Sequence, residues 1–277
     1  MNDALHLLRG WSWSVRILTT VMLGKAVRTV AGWKKRLGAG ALALLLLALT
    51  VAACWPRPAS ETDQAVIGEA RIPAGPYVAL TFDDGPRNTT TSTLLDGLAQ
   101  RGVHATFFVI GENVEGNELL LQRMEGEGHQ VGLHTYHHKS LAQLGASDFY
   151  AEVDKLRETL TALLGRESFM LRPPYGMMNA ATKARAAAPI ILWSVDPEDW
   201  SDHDTARQVS VIVDKAQDGD IILLHDIYPA SVDTALQVVD ALMSKGFHFV
   251  TVEELFAIRG MTPENGKVYR KLPPSPG

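Results

Sequence analysis

Seven short apolar runs recur between residues 77 and 252, and no other feature limits the fold of this chain so tightly. They are Val78–Phe82, Thr106–Ile110, Gln130–Leu133, Phe169–Arg172, Ile190–Val195, Ile221–Leu224 and Phe247–Val252. Several are continuously apolar rather than alternating, the pattern of strands covered on both faces in a parallel sheet. The gaps between them carry helical periodicity. Phe149, Val153, Leu156, Leu160 and Leu163 share one helical face, with Ser147 expected as N-cap and Gly165 as terminator. Leu94, Leu95 and Leu98 lead to Gly102, and Ala235, Val238, Val239 and Leu242 lead to Gly246. Val209, Ile212, Val213 and Ala216 repeat the pattern before the turn Asp218-Gly219-Asp220. Connections this long cannot be hairpins, so the sheet is expected to be parallel. Seven βα units in about 180 residues fit a closed or nearly closed β/α barrel, with an open doubly wound sheet as the alternative. Either architecture gathers a functional site at the C-terminal ends of the strands.

Charge and cysteine usage narrow the setting. Residues 1–53 hold seven of the 26 Lys and Arg and one of the 31 Asp and Glu, so the rest of the chain carries a net of about −11. An acidic body excludes nucleic acid as a partner, because phosphate binding needs a basic footprint. The single cysteine, Cys54, excludes an intramolecular disulfide and a thiolate zinc site. It follows a basic flank, Lys34-Lys35-Arg36, and the apolar run Leu37–Ala53, which together read as a secretory signal. Val51-Ala52-Ala53-Cys54 resembles a bacterial lipobox, whose cleavage leaves the cysteine lipidated. An uncleaved anchor, at the short edge of what spans a bilayer, and ordinary cleavage are the alternatives. All three place the body outside the cytoplasm, the first two at the cell membrane. The basic region before Lys34 is long for a signal, so Met22 competes with Met1 as the start. The domain plan is therefore 1–54 basic flank and signal, 55–75 linker, 76–260 catalytic domain, and 261–277 a polar, loosely held tail.

The chemistry collects where the runs end. Asp83 and Asp84 close the first; His134, His137 and His138 follow the third; Arg172 ends the fourth; Asp196 and Asp199 follow the fifth; His225 ends the sixth. Taken singly, an aspartate after a strand reads as a helix cap, Arg172 as a salt-bridge partner and Trp200 as core. Convergence of five runs on one rim argues otherwise. Two adjacent carboxylates repel unless a cation offsets them. Imidazole nitrogens with one carboxylate suit Zn²⁺ and similar ions and leave room for water. His134 and His138 lie four apart, so one helical turn would put both rings on the same side. One aspartate would then ligate and the other act as base, an assignment that spacing leaves open. His137 is expected to face away, packed or donating to a carboxylate, and Asp196 to anchor its loop. His104, His129, His203 and His248 read as structural or exposed, and Phe107, Phe108, Phe247 and Phe249 as core.

With these residues in view, the chain resembles the polysaccharide deacetylases of carbohydrate esterase family 4, the NodB-homology domain, over about residues 75–258. "TFDDGP" (81–86), "HTYHH" (134–138), "RPPYG" (172–176), "DPEDW" (196–200) and "LLH" (223–225) match the five family motifs in order, with an extra histidine in a variable slot of the second. The resemblance implies a distorted (β/α)7 barrel and one divalent ion held by Asp84, His134 and His138. Zinc is the ion expected, with Co²⁺, Mn²⁺, Ni²⁺ and Fe²⁺ as alternatives. It further implies Asp83 as general base held by Arg172, and His225 as general acid kept protonated by Asp199. Tyr175 would stabilise the oxyanion through its backbone N–H, while Trp200 and Leu223 line the acetyl pocket. The expected function is removal of N-acetyl groups from an extracellular glycan, peptidoglycan foremost, by a monomer. Chitin oligomers, poly-N-acetylglucosamine and acetylated xylan are alternative substrates. A non-catalytic glycan-binding protein of the same fold is the competing class, and an unrelated amidase would not account for "RPPYG" and "DPEDW" together.

Overall fold

The run YVALTFD becomes β1 (Tyr77–Asp83), and all seven of its residues are buried. A computed structural model of the chain describes residues 73–274. The apolar segment Leu37–Ala53, Cys54 and most of the linker, and with them the expected signal, lipidation or anchor, lie outside the described residues. Among the described residues no helix is long and apolar enough to cross a membrane.

Among the described residues six further strands follow: β2 (Thr106–Val109), β3 (Gln130–Leu133), β4 (Ile190–Ile191), β5 (Ile221–His225), β6 (His248–Val250) and β7 (Val268–Tyr269). The ladder runs β3-β2-β1-β5, with β6 pairing the first half of β1. Every pairing between these strands is parallel, as the continuous apolar runs imply. Helices α1 (Asn88–Arg101), α2 (Glu118–Gly126), α3 (Ala146–Phe149), α4 (Lys155–Leu164), α5 (Ala180–Arg185), α6 (Thr205–Lys215), α7 (Pro229–Ser244) and α8 (Val252–Ile258) fill the connections. The fold is thus α/β with a parallel sheet.

Side-chain alternation along β1 divides the core. Val78, Leu80 and Phe82 pack with Leu94, Leu98, Val238 and Leu242 from α1 and α7. Tyr77 and Ala79 pack with Phe108, Ile221, Phe256 and Tyr269 on the other face. Each of these fully buried large side chains contributes about 1.5–3 kcal/mol. Thr81 and Asp83 share the face of Tyr77 and Ala79 by the same alternation, so the strand aims a buried carboxylate inward at its end. Helix α1 stops at Gly102 (φ 62), whose N–H bonds the carbonyls of Leu98 and Ala99, and Gly165 (φ 70) ends α4 likewise.

Four expectations need correction. The expected strand Phe169–Arg172 is a lone bridge point, Leu171, paired with Leu133 on one side and Ile190 on the other. Pro173 and Pro174 lack the N–H a longer ladder would need. The expected strand Ile190–Val195 survives as the two residues of β4, after which Val195 bridges Ile222 of β5 instead. The tail is not loose: Val268 and Tyr269 pair with β4, and Tyr269 and Leu272 are buried. Its polar average conceals these few apolar residues. Finally, Ser147 is not the N-cap; Gly145 occupies that place without a side-chain bond, and a π-helical turn, Tyr150–Asp154, separates α3 from α4. The apolar stripe itself holds, with Phe149, Val153, Leu156 and Leu160 buried.

Candidate metal and acid–base site

Asp83 ends β1 beside Arg172, whose guanidinium is 0% exposed. Arg172 Nη1 donates to Asp83 Oδ1 at 2.7 Å and to Thr81 Oγ1 at 2.8 Å. Its Nε and Nη2 donate to the carbonyls of Ile191 and Leu192. Burial pulls Arg172 below its ordinary value, and the charge of Asp83 opposes that. A buried cation is tolerable only with such a full set of acceptors, which rules out the reading of Arg172 as a surface salt-bridge partner.

One residue further the chain turns. Asp84 has φ 72, so its side chain leaves the direction of Asp83. Asn113 Nδ2 donates to the Asp84 carbonyl at 2.9 Å, and the Ile110 N–H to the Gly85 carbonyl at 2.9 Å. Gly85 has no room for a side chain: a Cβ there would lie 2.3 Å from Asp226 Oδ1.

His134 leaves the end of β3 with Nδ1 2.8 Å from the Arg172 carbonyl. A carbonyl only accepts, so Nδ1 carries the proton and the Nε2 lone pair is free for a cation. That nitrogen lies 3.4 Å from Asp84 Oδ1, and His138 Nε2 lies 3.3 Å from the same oxygen. The three ligand atoms are all within 4.8 Å of one another. Asp84 Oδ1 is buried and has no hydrogen-bond partner among the described residues. An orphaned carboxylate oxygen facing two imidazole nitrogens is costly by itself and natural as a cation cradle, so the residues fit a divalent ion of the zinc kind. Burial pushes the Asp84 carboxyl up, but His134, with the charges of His225 and His138, outweighs it and holds the group low. Burial pushes His138 down, towards the neutral form that ligates.

The histidine pair is reached differently from the sequence expectation. Residues 134–138 form no helical turn; Thr135 (φ 66) and His138 (φ 54) instead take left-handed backbone that bends the loop back on itself. His137 faces away, as expected, with Nδ1 2.9 Å from Glu152 Oε1.

Across the cavity His225 ends β5. Its backbone N–H donates to Asp199 Oδ2 and its Nδ1 lies 2.8 Å from Asp199 Oδ1, while Ser231 Oγ holds the same carboxylate. Burial pushes His225 down, but the hydrogen bond and charge of Asp199, with Asp83 and Asp84 behind, raise it to about 9. Its Nε2 is left for the cavity. The space between these groups, about 350 Å³, is also lined by Tyr175, Trp193, Asp196, Trp200 and Leu223. Tyr175 (φ 61, 63% exposed) reaches His138 Nδ1 with its hydroxyl at 3.3 Å. Trp200 is 56% exposed at the rim, against its reading as core.

Sequence reasoning missed Trp193 and Asp226 and gave Asp196 only part of its place. Asp196 anchors its loop as expected, accepting the Glu198 N–H at 2.7 Å, but it also faces the cavity, and burial raises it. Trp193, two residues past β4, was readable only as a strand residue. Asp226, which follows His225, is 1% exposed, is bonded by Thr91 and is raised by burial to about 7. Its place directly after His225 was the one signal available.

Fold and site together define a parallel α/β protein with a two-histidine, one-carboxylate cation cradle, flanked by a second carboxylate and an aspartate-backed histidine. The family profile "Polysaccharide deacetylase" matches residues 70–189. The peptidoglycan-N-acetylmuramic acid deacetylase PdaC of Bacillus subtilis is 36% identical over 203 residues, 73% of this chain and 44% of the relative. A peptidoglycan-N-acetylglucosamine deacetylase of Bacillus cereus is 36% identical over 196 residues, 66% of this chain and 70% of the relative. The structure of a family 4 acetyl xylan esterase from Clostridium thermocellum, in complex with a cobalt ion, aligns with TM-score 0.68 at 27% identity, covering 71% of this chain and 99% of that one. The chain belongs to the polysaccharide deacetylase family, which is metal-dependent. It spans less than half the length of PdaC.

Proposed function

We propose that this chain hydrolyses N-acetyl groups from glucosamine residues of peptidoglycan, using one divalent ion, zinc foremost, held by Asp84, His134 and His138. The observation that carries the reading is the orphaned Asp84 Oδ1 between the His134 and His138 nitrogens, with Asp83 and His225 on the same cavity. The relatives' activities on peptidoglycan support the substrate. When bound, the cation would polarise the acetamide carbonyl and acidify water. Asp83, fixed by Arg172, takes the proton of the attacking water. The Tyr175 backbone N–H is assigned to stabilise the developing oxyanion. His225, held through Nδ1 by Asp199, delivers the Nε2 proton to the departing amine, so the products are acetate and a free amino sugar. Trp200 and Leu223 enclose the acetyl methyl.

The sheet is read as a distorted (β/α)7 barrel, supported by the bridges Leu133–Leu171–Ile190 and Val195–Ile222, which continue the ladder from β3 round to β5. The domain is placed outside the cytoplasm as a monomer, held at the membrane by lipidated Cys54 or by the uncleaved segment before it. The support is the sequence Lys34–Cys54, and release of Cys54→Ala into the soluble fraction distinguishes lipid from anchor. The test of function is acetate release by the full chain on peptidoglycan, chitin oligomers and acetylated xylan, with and without chelator. Release from peptidoglycan, abolished by chelator, is expected; release confined to xylan moves the substrate to the acetyl ester the Clostridium relative's name describes, and no release from any of them ends the enzymatic reading.

A further inference from the structure

The loop that carries both histidines of the cradle is tied down by a carboxylate from another element. Glu152 lies in the π-helical turn Tyr150–Asp154, one residue before the core residue Val153, and is 0% exposed. Its Oε2 accepts the backbone N–H of His137 at 2.9 Å, and its Oε1 accepts from His137 Nδ1 at 2.9 Å and Lys139 Nζ at 3.1 Å. We propose that Glu152 is a positioning residue that sets His138 for the cation, an inference that rests on the metal reading above.

The argument is one of backbone restraint. Thr135 and His138 both have positive φ, a region that side chains with a Cβ avoid, so the loop does not hold its shape unaided. The Gly111 and Glu112 N–H groups fix the carbonyls of Thr135 and Tyr136 at 3.0 and 2.9 Å. Glu152 supplies the tie at the next residue, His137, directly before the ligand. His134 is held separately, by its N–H on the Val109 carbonyl and its ring on the Arg172 carbonyl. Loss of Glu152 therefore frees one ligand of three and leaves Asp84 and His134 in place. Groups that orient metal ligands typically change affinity 10–100-fold when removed. Lys139 touches Glu152 from outside the loop's backbone bonds, so its removal should matter little.

The test measures zinc affinity of the detergent-solubilised full chain by competition with a chromophoric chelator, alongside melting of the metal-free protein. Glu152→Gln is expected to bind zinc about tenfold or more weakly, with Lys139→Ala within threefold of wild type and His138→Ala abolishing tight binding. Glu152→Asp keeps the charge but shortens the arm by one methylene, so both His137 donors cannot be met together. It carries the same expectation if the glutamine variant does not fold. A smaller loss of affinity in the folded variant, whatever its melting temperature, overturns the assignment and makes Glu152 a stability residue only. A wild-type chain that takes up no zinc overturns the metal reading itself.

Discussion

Asp83 and His225 are register partners on adjacent parallel strands, the last residues of β1 and β5. The sheet itself therefore sets the separation of the proposed base and acid. Each is backed by a buried residue of opposite charge, Arg172 behind Asp83 and Asp199 behind His225.

Removing the charge of Asp83 should separate catalysis from metal binding. Asp83→Asn leaves Asp84, His134 and His138 intact, so zinc stoichiometry should stay at wild-type level while turnover falls about 10²–10⁴-fold. The buried Arg172 loses its counter-charge, so the variant should also be less stable by about 3–5 kcal/mol. Chelator-competition zinc assays, acetate release and thermal melts on one preparation read all three. Turnover above a tenth of wild type would remove Asp83 from the role of base.

Asp199 should set the alkaline limb of the pH profile. His225 is raised to about 9, above its unfolded value, so the imidazolium persists through neutral pH and is lost as pH rises through about 9. Its contribution to stability has the same sign: fully present below about 6.5 and lost through about 9. Asp199→Asn removes the charge that opposes burial, so the falling limb of kcat should move to lower pH. A bound cation acts on His225 in both proteins, so the comparison isolates Asp199. An unmoved limb would mean that another group supplies the proton.

Much of this site was readable because β1, β2, β3 and β5 are buried on both faces. Their runs are mostly apolar and carry no other charge, so a charge at the end of such a run cannot be part of the same pattern. That is how Asp83, Asp84 and His225 stand out. The spacing of His134 and His138 was equally visible, but its backbone was not: Thr135 and His138 take positive φ in a loop bonded to Gly111, Glu112 and Glu152 elsewhere in the chain. Strands of two residues, β4 and β7, depend on each other and leave no periodicity to read. Glu152 and Asp226 are buried carboxylates that look in sequence like surface ones; only tertiary packing distinguishes them.

Asp226 should cost stability as pH rises. Its folded value is raised by burial to about 7 from an unfolded value of 3.8. The penalty is absent below about 3.8, grows between there and about 7, and is constant above, reaching about 4 kcal/mol. Asp226→Asn cannot ionise, so its melting temperature relative to wild type should climb between pH 4 and pH 7 and then level off. A difference independent of pH would show that Asp226 is already ionised without penalty.

The two neighbouring histidines should divide cleanly in metal binding. His138→Ala removes a donor 3.3 Å from Asp84 Oδ1 and should abolish tight zinc uptake. His137→Ala keeps its backbone N–H on Glu152 and should still bind zinc. Equal loss in both would mean that the cradle lies elsewhere.

Trp200 should act on substrate and not on the protein. It is 56% exposed at the rim of the cavity, and a large apolar surface left in water there is available to a sugar ring. Contact with such a ring over an indole buries apolar area worth about 1–2 kcal/mol. Trp200→Ala should therefore lower kcat/KM on oligosaccharides about tenfold, with melting temperature and zinc affinity unchanged because the side chain supports neither core nor cradle. Part of the loss should persist on a small acetylated substrate, because the same indole borders the cavity proposed to hold the acetyl methyl. A variant that melts early without losing kcat/KM would return Trp200 to a packing role and take the rim out of substrate recognition.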